Sequence, residues 1–281
     1  PFFIYIYSMN SIQVRSRIDF YLDVSRNARF GQQDYNKAVN DAIQVFMNQR
    51  IGDENQRAPE NFQWIQQIRD EMYTLLKEAT STPSNGTVVT NRYYSSIPSA
   101  ITFPTDYYNF VSLRVVIDGY SDYARPTTYN EIGPLLKDSF KHPTNQKVYY
   151  NENTTGLTIW RGSSGTFSSA ILEYIKTPLD FNVGADTDLI NAGAGVLTNG
   201  SVYIATEVSV QNSVTYQIGD AFTASGTTLT SGQVILASKT QTIELPEKTH
   251  SDIAKMAAAI MLKVTANYPA AQAVGDESNR D

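Results

Sequence analysis

The chain has 281 residues, enough for one large domain or two small ones, and a fold of that size buries about 70–75% of the surface its unfolded chain exposes. It has no cysteine, which excludes disulfides, thiolate zinc sites and a cysteine nucleophile. A formal net charge of −6 argues against a general nucleic-acid binder, while 18 tyrosines and a charged fraction of only 18% suit a subunit with much of its surface covered by neighbours.

Pro1 to Ser8 is apolar and aromatic, too short to span a bilayer and without the pattern of a secretory signal. It reads either as an extension ahead of Met9 or as an arm (residues 1–10) that adds a strand to a neighbour. Ser11 to Phe30 has helical spacing, with Val14, Ile18, Tyr21 and Leu22 on one face, and Gly31 as its stop. A second helix over Gln33 to Arg50 carries the stripe Tyr35, Val39, Ala42, Ile43, Phe46 and Met47. A third is expected from Pro59 to Glu78, with Phe62, Ile65, Ile68, Met72, Leu75, Leu76 and Ala79 inward and Trp64 off the stripe.

After Gly86 the pattern changes to period two. Thr87 to Tyr94 and Phe110 to Asp118 read as strands, the latter with Val111, Leu113, Val115 and Ile117 on one face. Ile97 to Pro104 reads as an extended link, Asp106 to Tyr108 as a turn, and Asn130 to Leu136 as a short helix capped by Asn130 or Thr128. Lys147 to Phe181 holds three strand-like runs, Val148–Tyr150, Leu157–Trp160 and Ala170–Ile175, separated by turn residues, and predicts a small antiparallel meander.

Asp180 to Leu197 has linker composition. Short strands are expected at Val202–Ala205, Ser213–Tyr216, Ala221–Thr223 and Gln233–Leu236. Glu247 to Asn267 closes the chain as a helix, with Thr249 to Asp252 at its start and Ile253, Met256, Ala257, Ile260, Met261 and Val264 on one face. The fold class is α+β: N-terminal helices, a central antiparallel β core, an inserted small β module and a C-terminal helix. The expected division is an arm at 1–10, a core of 11–182 with 240–270, a β module at 183–239 and a mobile tail at 271–281.

No pattern of residues specifies a reaction. His142 and His250 are the only histidines and form no metal-binding pair, so each is expected in a surface or capping role. There is no Gly-x-Ser-x-Gly elbow and no phosphate loop; Gly162–Gly165 and Gly193–Gly195 read as turns or linker. The acid pairs Asp118 with Asp122 and Glu152 with Glu173 sit in turn and strand contexts that favour solvation, and Asp186 with Asp188 lacks the spacing of a calcium loop. Asn85, Asn153 and Asn199 match glycosylation acceptors but read as turns. Trp64 and Trp160 among many tyrosines suggest a sugar-stacking platform as an alternative, that of a carbohydrate-binding or adhesin-like surface protein; packing is the stronger reading for Trp160. No catalytic, cofactor-binding or metal-binding residue is assigned. The expected contact residues are those of the last helix face together with Trp160 and Tyr149.

The order of pieces carries a resemblance. Ile101–Tyr108 precedes the strand Val111–Asp118; then come Arg125–Ile132, Val148–Glu152, Leu157–Gly162 and Leu172–Pro178. This resembles the head-to-tail connector (adaptor, or ring) proteins of tailed bacteriophages and is most similar to those of crAss-like phages, over roughly Ser11 to Ala271 apart from the β module. The resemblance implies a non-enzymatic virion subunit, assembled in the host cytoplasm. It implies a ring, commonly of twelve copies, docked between the portal protein and other neck and tail proteins. DNA would pass through without sequence-specific binding, and no membrane or cofactor is involved.

Overall fold

The computed structural model describes residues 9–22, 30–52, 70–90, 94–164, 166–185, 188–193 and 196–266. Residues 1–8 of the N-terminal arm, Trp64, Asp186 and the C-terminal tail lie outside the described residues. Helices and antiparallel sheets both contribute, and the fold is α+β as the sequence suggests. The chain divides into two compact units, Leu75–Thr177 and a discontinuous one made of Pro1–Thr74 with Pro178–Asp281. The β core is therefore a unit of its own, and the β module belongs with the helices.

In the discontinuous unit, α1 (Ser11–Leu22) forms within its expected span and α2 (Gln32–Gly52) covers its own, and residues 23–29 of the first expected helix lie outside the described residues. All six residues of the α2 stripe are buried. The third helix departs from expectation within its described part. It ends by Met72, a 3-10 turn follows at Tyr73–Leu75, and β1 (Leu76–Ser81) is a strand. Leu76 and Ala79 were expected on a helix stripe; the backbone instead pairs antiparallel with a later strand, from Leu76 opposite Ile175 to Ser81 opposite Ala170. Pairing along a whole sheet edge outweighs the weak local preference for helix.

The continuous unit is a sandwich of two sheets. Its strands are β1, β2 (Ser84–Asn85), β3 (Val89–Thr90), β4 (Ser95–Thr102), β5 (Tyr107–Ile117), β6 (Tyr120–Tyr123), β7 (Arg125–Pro126), β8 (Tyr149–Asn153), β9 (Gly156–Gly162) and β10 (Phe167–Lys176), with the short helix α3 (Tyr129–Leu135) between β7 and β8. One sheet runs β1-β10-β5-β6; the other runs β2-β4-β9-β8-β7, with β3 beside β4. The expected link at Ile97–Pro104 is thus a full strand, paired with β9 from Ser96 opposite Gly162 to Thr102 opposite Gly156. The expected meander also changes. Strands β8 and β9 form a hairpin, but β10 crosses to the other sheet and pairs with β5 and β1.

That crossing closes the core. Leu113, Val115 and Ile117 of β5 and Ala170, Leu172 and Tyr174 of β10 pack in one buried cluster with Ile101 of β4 and Leu157 and Ile159 of β9. The period-two spacing puts each set on one face of its sheet. Burying each large aliphatic side chain stabilises the fold by about 1.5–3 kcal/mol.

Beyond Pro178 the chain returns to the helical unit. Strands β11 (Leu189–Asn191), β12 (Val202–Ala205), β15 (Ala221–Thr223) and β16 (Gln233–Leu236) form a sheet in the order β11-β16-β12-β15, with β13 (Ser209–Gln211) and β14 (Val214–Tyr216) as a separate hairpin. Leu197, Tyr203, Phe222, Ala224, Leu229 and Val234 are its core. The expected strands from Val202 onward are all present, while β13 and the β11 strand inside the linker are additional. The last helix, α4 (Glu247–Ala266), packs on α1 and α2.

A row of amides on α2 holds the returning chain. Asn40 Oδ1 accepts from the Phe181 N–H at 2.7 Å, and Asn36 Oδ1 accepts from the Val183 N–H at 2.8 Å. Gln32, with its amide nitrogen turned toward them, donates to the Val183 and Gly184 carbonyls. Spacing of four places all three on one helix face. They satisfy backbone groups that sit beside the buried Phe181 and Val183.

The close approach of β4 and β9 gives a direct test. A Cβ built on Gly156 would lie 1.9 Å from the Ile101 carbonyl oxygen, which is backbone and cannot swing aside. Gly156→Ala is expected to destabilise the chain by at least about 2 kcal/mol. Chemical denaturation read by tryptophan fluorescence measures it, and an unchanged midpoint would contradict the β4–β9 register.

Candidate functional site

The residues expected in contacts separate into two rows on α4. Ile253, Ala257 and Met261 are 0%, 0% and 3% exposed and face the helices of their own unit. Met256 and Ile260 are half-buried and Val264 is 62% exposed. Both sets repeat at i, i+4, i+8, so the helix turns one row inward and grades the other outward. Leu262, also exposed, extends the outward side at the C-terminal end.

Trp160 and Tyr149 lie opposite each other on β9 and β8. Tyr149 is buried, and Trp160 is half-buried with its indole N–H donating to Asn151 Oδ1 at 2.8 Å. The indole N–H is thus engaged within its own sheet.

The histidines occupy unlike environments. His250 was expected at the surface or in a cap but is 0% exposed. Its Nε2–H donates to the Leu245 carbonyl at 2.7 Å, and Nδ1 is buried without a partner. Burial holds its pKa below the ordinary 6.5 and outweighs the nearby acceptors that favour the charged form. His142 is half-buried, stacks on the Tyr94 ring with centroids 3.6 Å apart, and donates from Nδ1 to the Ser139 carbonyl at 3.1 Å.

The acidic residues each have separate engagements. Glu152 accepts from the Tyr107 hydroxyl at 3.2 Å, and Glu173 accepts from the Ser112 hydroxyl at 2.6 Å on the neighbouring strand. Asp106 is held below the ordinary carboxylate range first by Lys77, at 2.8 Å, and then by the Tyr174 hydroxyl. Burial and the charge of Glu152 push the Tyr150 phenol up to about 12. Asp122 Oδ1 accepts from the Tyr123 N–H at 2.8 Å. Asp188 accepts from the Ala185 N–H at 3.3 Å and lies 3.9 Å from Lys239.

Asp118 does more than its pairing with Asp122 suggested. It occupies the left-handed region, at φ 53°, followed by Gly119 at φ 80°, and these two residues make the β5–β6 turn. That conformation suits Asp-Gly and matches the twist of a hairpin. Its carboxylate accepts from the Thr166 N–H at 2.7 Å and from Asn145 Nδ2 at 3.4 Å. The Arg161 guanidinium, 3% exposed, lies over the Phe167 ring at 5.3 Å and feels the Asp118 charge. Burial lowers the arginine pKa from its usual value and the carboxylate opposes that shift. Around this turn the chain forms an open cavity of about 570 Å³ lined by Tyr94, Asp118, Tyr120, His142 and Asn145, with Ser163 and Ser164 at the end of β9. A two-residue Asp-Gly between a β-branched run and a tyrosine-flanked one was the readable sign of this hairpin. Nothing local in the sequence signalled that Asn145 and His142 would join it.

The chain matches no family model, and no curated protein is similar enough to it to count as a match. Among the described residues no group of three histidine or acidic side chains is placed to hold a metal ion, and no helix is long and apolar enough to cross a membrane.

His250 yields a pH prediction. Its folded pKa is depressed, so the unfolded chain takes up a proton as pH falls through 6.5 while the folded chain resists it. Stability from this residue is full above 6.5 and declines as pH drops from there to the folded value. Urea midpoints are expected to fall between about pH 7.5 and about pH 5, and less steeply in His250→Gln. Identical slopes in the two proteins would remove His250 as the source.

Proposed function

We propose that the chain is a structural subunit of a phage head-to-tail connector ring, docked between the portal and the tail and surrounding the DNA channel. The observation that carries this reading is the outward row of α4, where Met256, Ile260 and Val264 grade from half-buried to exposed beside Leu262. A closed ring needs heterologous contacts in which one surface of a subunit meets a different surface of the next. An apolar helix row that the chain's own fold leaves partly uncovered suits one half of such a contact. The net charge of −6 agrees with a channel through which DNA slides without sticking. The order of helices, sandwich, β module and final helix supports the same assignment, in which the resemblance gives twelve copies and the virion neck as the location.

Native mass spectrometry and particle imaging of the purified chain test the proposal. Closed rings are expected, and Ile260→Asp with Val264→Asp is expected to shift the population to monomers while the thermal midpoint of the monomer is kept. A chain that stays monomeric at high concentration and is missing from assembled necks would overturn it.

A further inference from the structure

The cavity beside the Asp118-Gly119 turn is independent of the ring contact, and its chemistry is selective. The groups lining it combine the acceptor carboxylate of Asp118 with hydroxyl and amide groups of Ser95, Thr144, Gln146 and Tyr120 that also donate. The Asp118 carboxylate receives two hydrogen bonds, leaving part of its capacity of about four lone-pair sites. His142 donates from Nδ1 to the Ser139 carbonyl, which leaves Nε2 as its other bonding position. Hydroxyls of Ser163 and Ser164 add groups that both donate and accept. Tyr120, 82% exposed, adds an aromatic face at the rim.

This combination selects among ligand classes. Among the described lining residues there is no lysine or arginine, and Asp118 is negative, so phosphates and other anions are disfavoured. A metal ion would find a single carboxylate already engaged by two donors. A purely apolar ligand would desolvate the remaining lone pairs of Asp118 and the lining hydroxyls without replacing their water, at a cost of about 1–3 kcal/mol for each unsatisfied group. A neutral ligand with adjacent hydroxyl donors and an apolar C–H face meets all of these conditions. The volume of about 570 Å³ accommodates one or two sugar rings.

We propose that this cavity is a saccharide-binding site, in which Asp118 accepts hydrogen bonds from ring hydroxyls, His142 Nε2 and the hydroxyls of Ser163 and Ser164 bond further hydroxyls, and Tyr120 covers the C–H face of the sugar. The site is distinct from Trp160, which the sheet holds through Asn151.

The test titrates the full chain with glucose, galactose, mannose and N-acetylglucosamine, and with short oligomers of each, followed by saturation-transfer NMR. At least one is expected to bind with a millimolar or tighter dissociation constant. Asp118→Asn preserves a residue that tolerates the left-handed turn but removes the charge, and is expected to weaken binding about tenfold. Tyr120→Ala, on an exposed side chain that leaves the core untouched, is expected to weaken it about fivefold. Trp160→Ala is expected to leave affinity unchanged. No saturation transfer from any of these saccharides, or equal affinity in wild type and Tyr120→Ala, overturns the site. Ring formation is measured separately, so failure here leaves the oligomer reading intact, and loss of rings leaves this one intact.

Discussion

Everything in the sandwich depends on where the backbone of β10 finds its hydrogen-bond partners. Had Phe167–Lys176 folded back on β9, its buried face would have met no second sheet. By crossing over it takes the centre of the other sheet, with β1 on one side and β5 on the other. Its alternate residues Ala170, Leu172 and Tyr174 then complete the core with β4, β5 and β9. An extended segment must satisfy its N–H and C=O groups somewhere, and a central position satisfies both edges. The same requirement explains β1. A central β10 needs a partner on its free edge, and Leu76–Ser81 supplies it in place of another turn of helix.

Asp118 makes the crossing local. The turn that ends β5 is tied to Thr166, one residue before β10 begins, by bonds in both directions: Thr166 N–H to the carboxylate at 2.7 Å and Asp118 N–H to the Thr166 carbonyl at 3.0 Å. Arg161, at the end of β9, is buried beside the same carboxylate. One side chain thus joins the end of one sheet to the start of the crossing strand, and the leftover acceptors form the cavity wall. The polar site and the sheet switch share a single physical origin.

Amphipathic patterns were legible wherever partners lie close in sequence or burial alone decides the element. The α2 stripe, α4 and the short module strands read directly, because 3.6- and 2-residue periods report which face is covered. Turn chemistry was less decisive. Gly162-Ser163-Ser164-Gly165 looks like a hairpin loop from either side, and only the distant Thr166–Asp118 bonds show that the next strand leaves. Leu76 and Ala79 have helical spacing, yet the partner strand that sets Ile175 and Leu172 opposite them determines their fate. The amides Gln32, Asn36 and Asn40 look like a solvated polar face. Asn40 meets Phe181 across 141 positions, and nothing near Asn40 announces it. The cavity was illegible for the same reason: its acceptors come from a turn, a loop and a strand end that only tertiary structure assembles. On α4 the periodicity identified an apolar helix but did not divide Ile253, Ala257 and Met261, turned inward, from Met256, Ile260 and Val264.

The discontinuous unit has a consequence during synthesis. Leu75–Thr177 is contiguous and has all its strand partners once that stretch has left the ribosome. The helical unit does not: α1 and α2 emerge first, and their apolar stripes wait for α4 at Glu247–Ala266. At about 5–20 residues per second, translation leaves those stripes uncovered for on the order of tens of seconds. The nascent chain therefore carries a finished sandwich between two unfinished halves of the other unit. The last helix to be made is both the lid on that exposed surface and the bearer of the row that grades outward, so a growing chain lacks that row until its interior can be sealed.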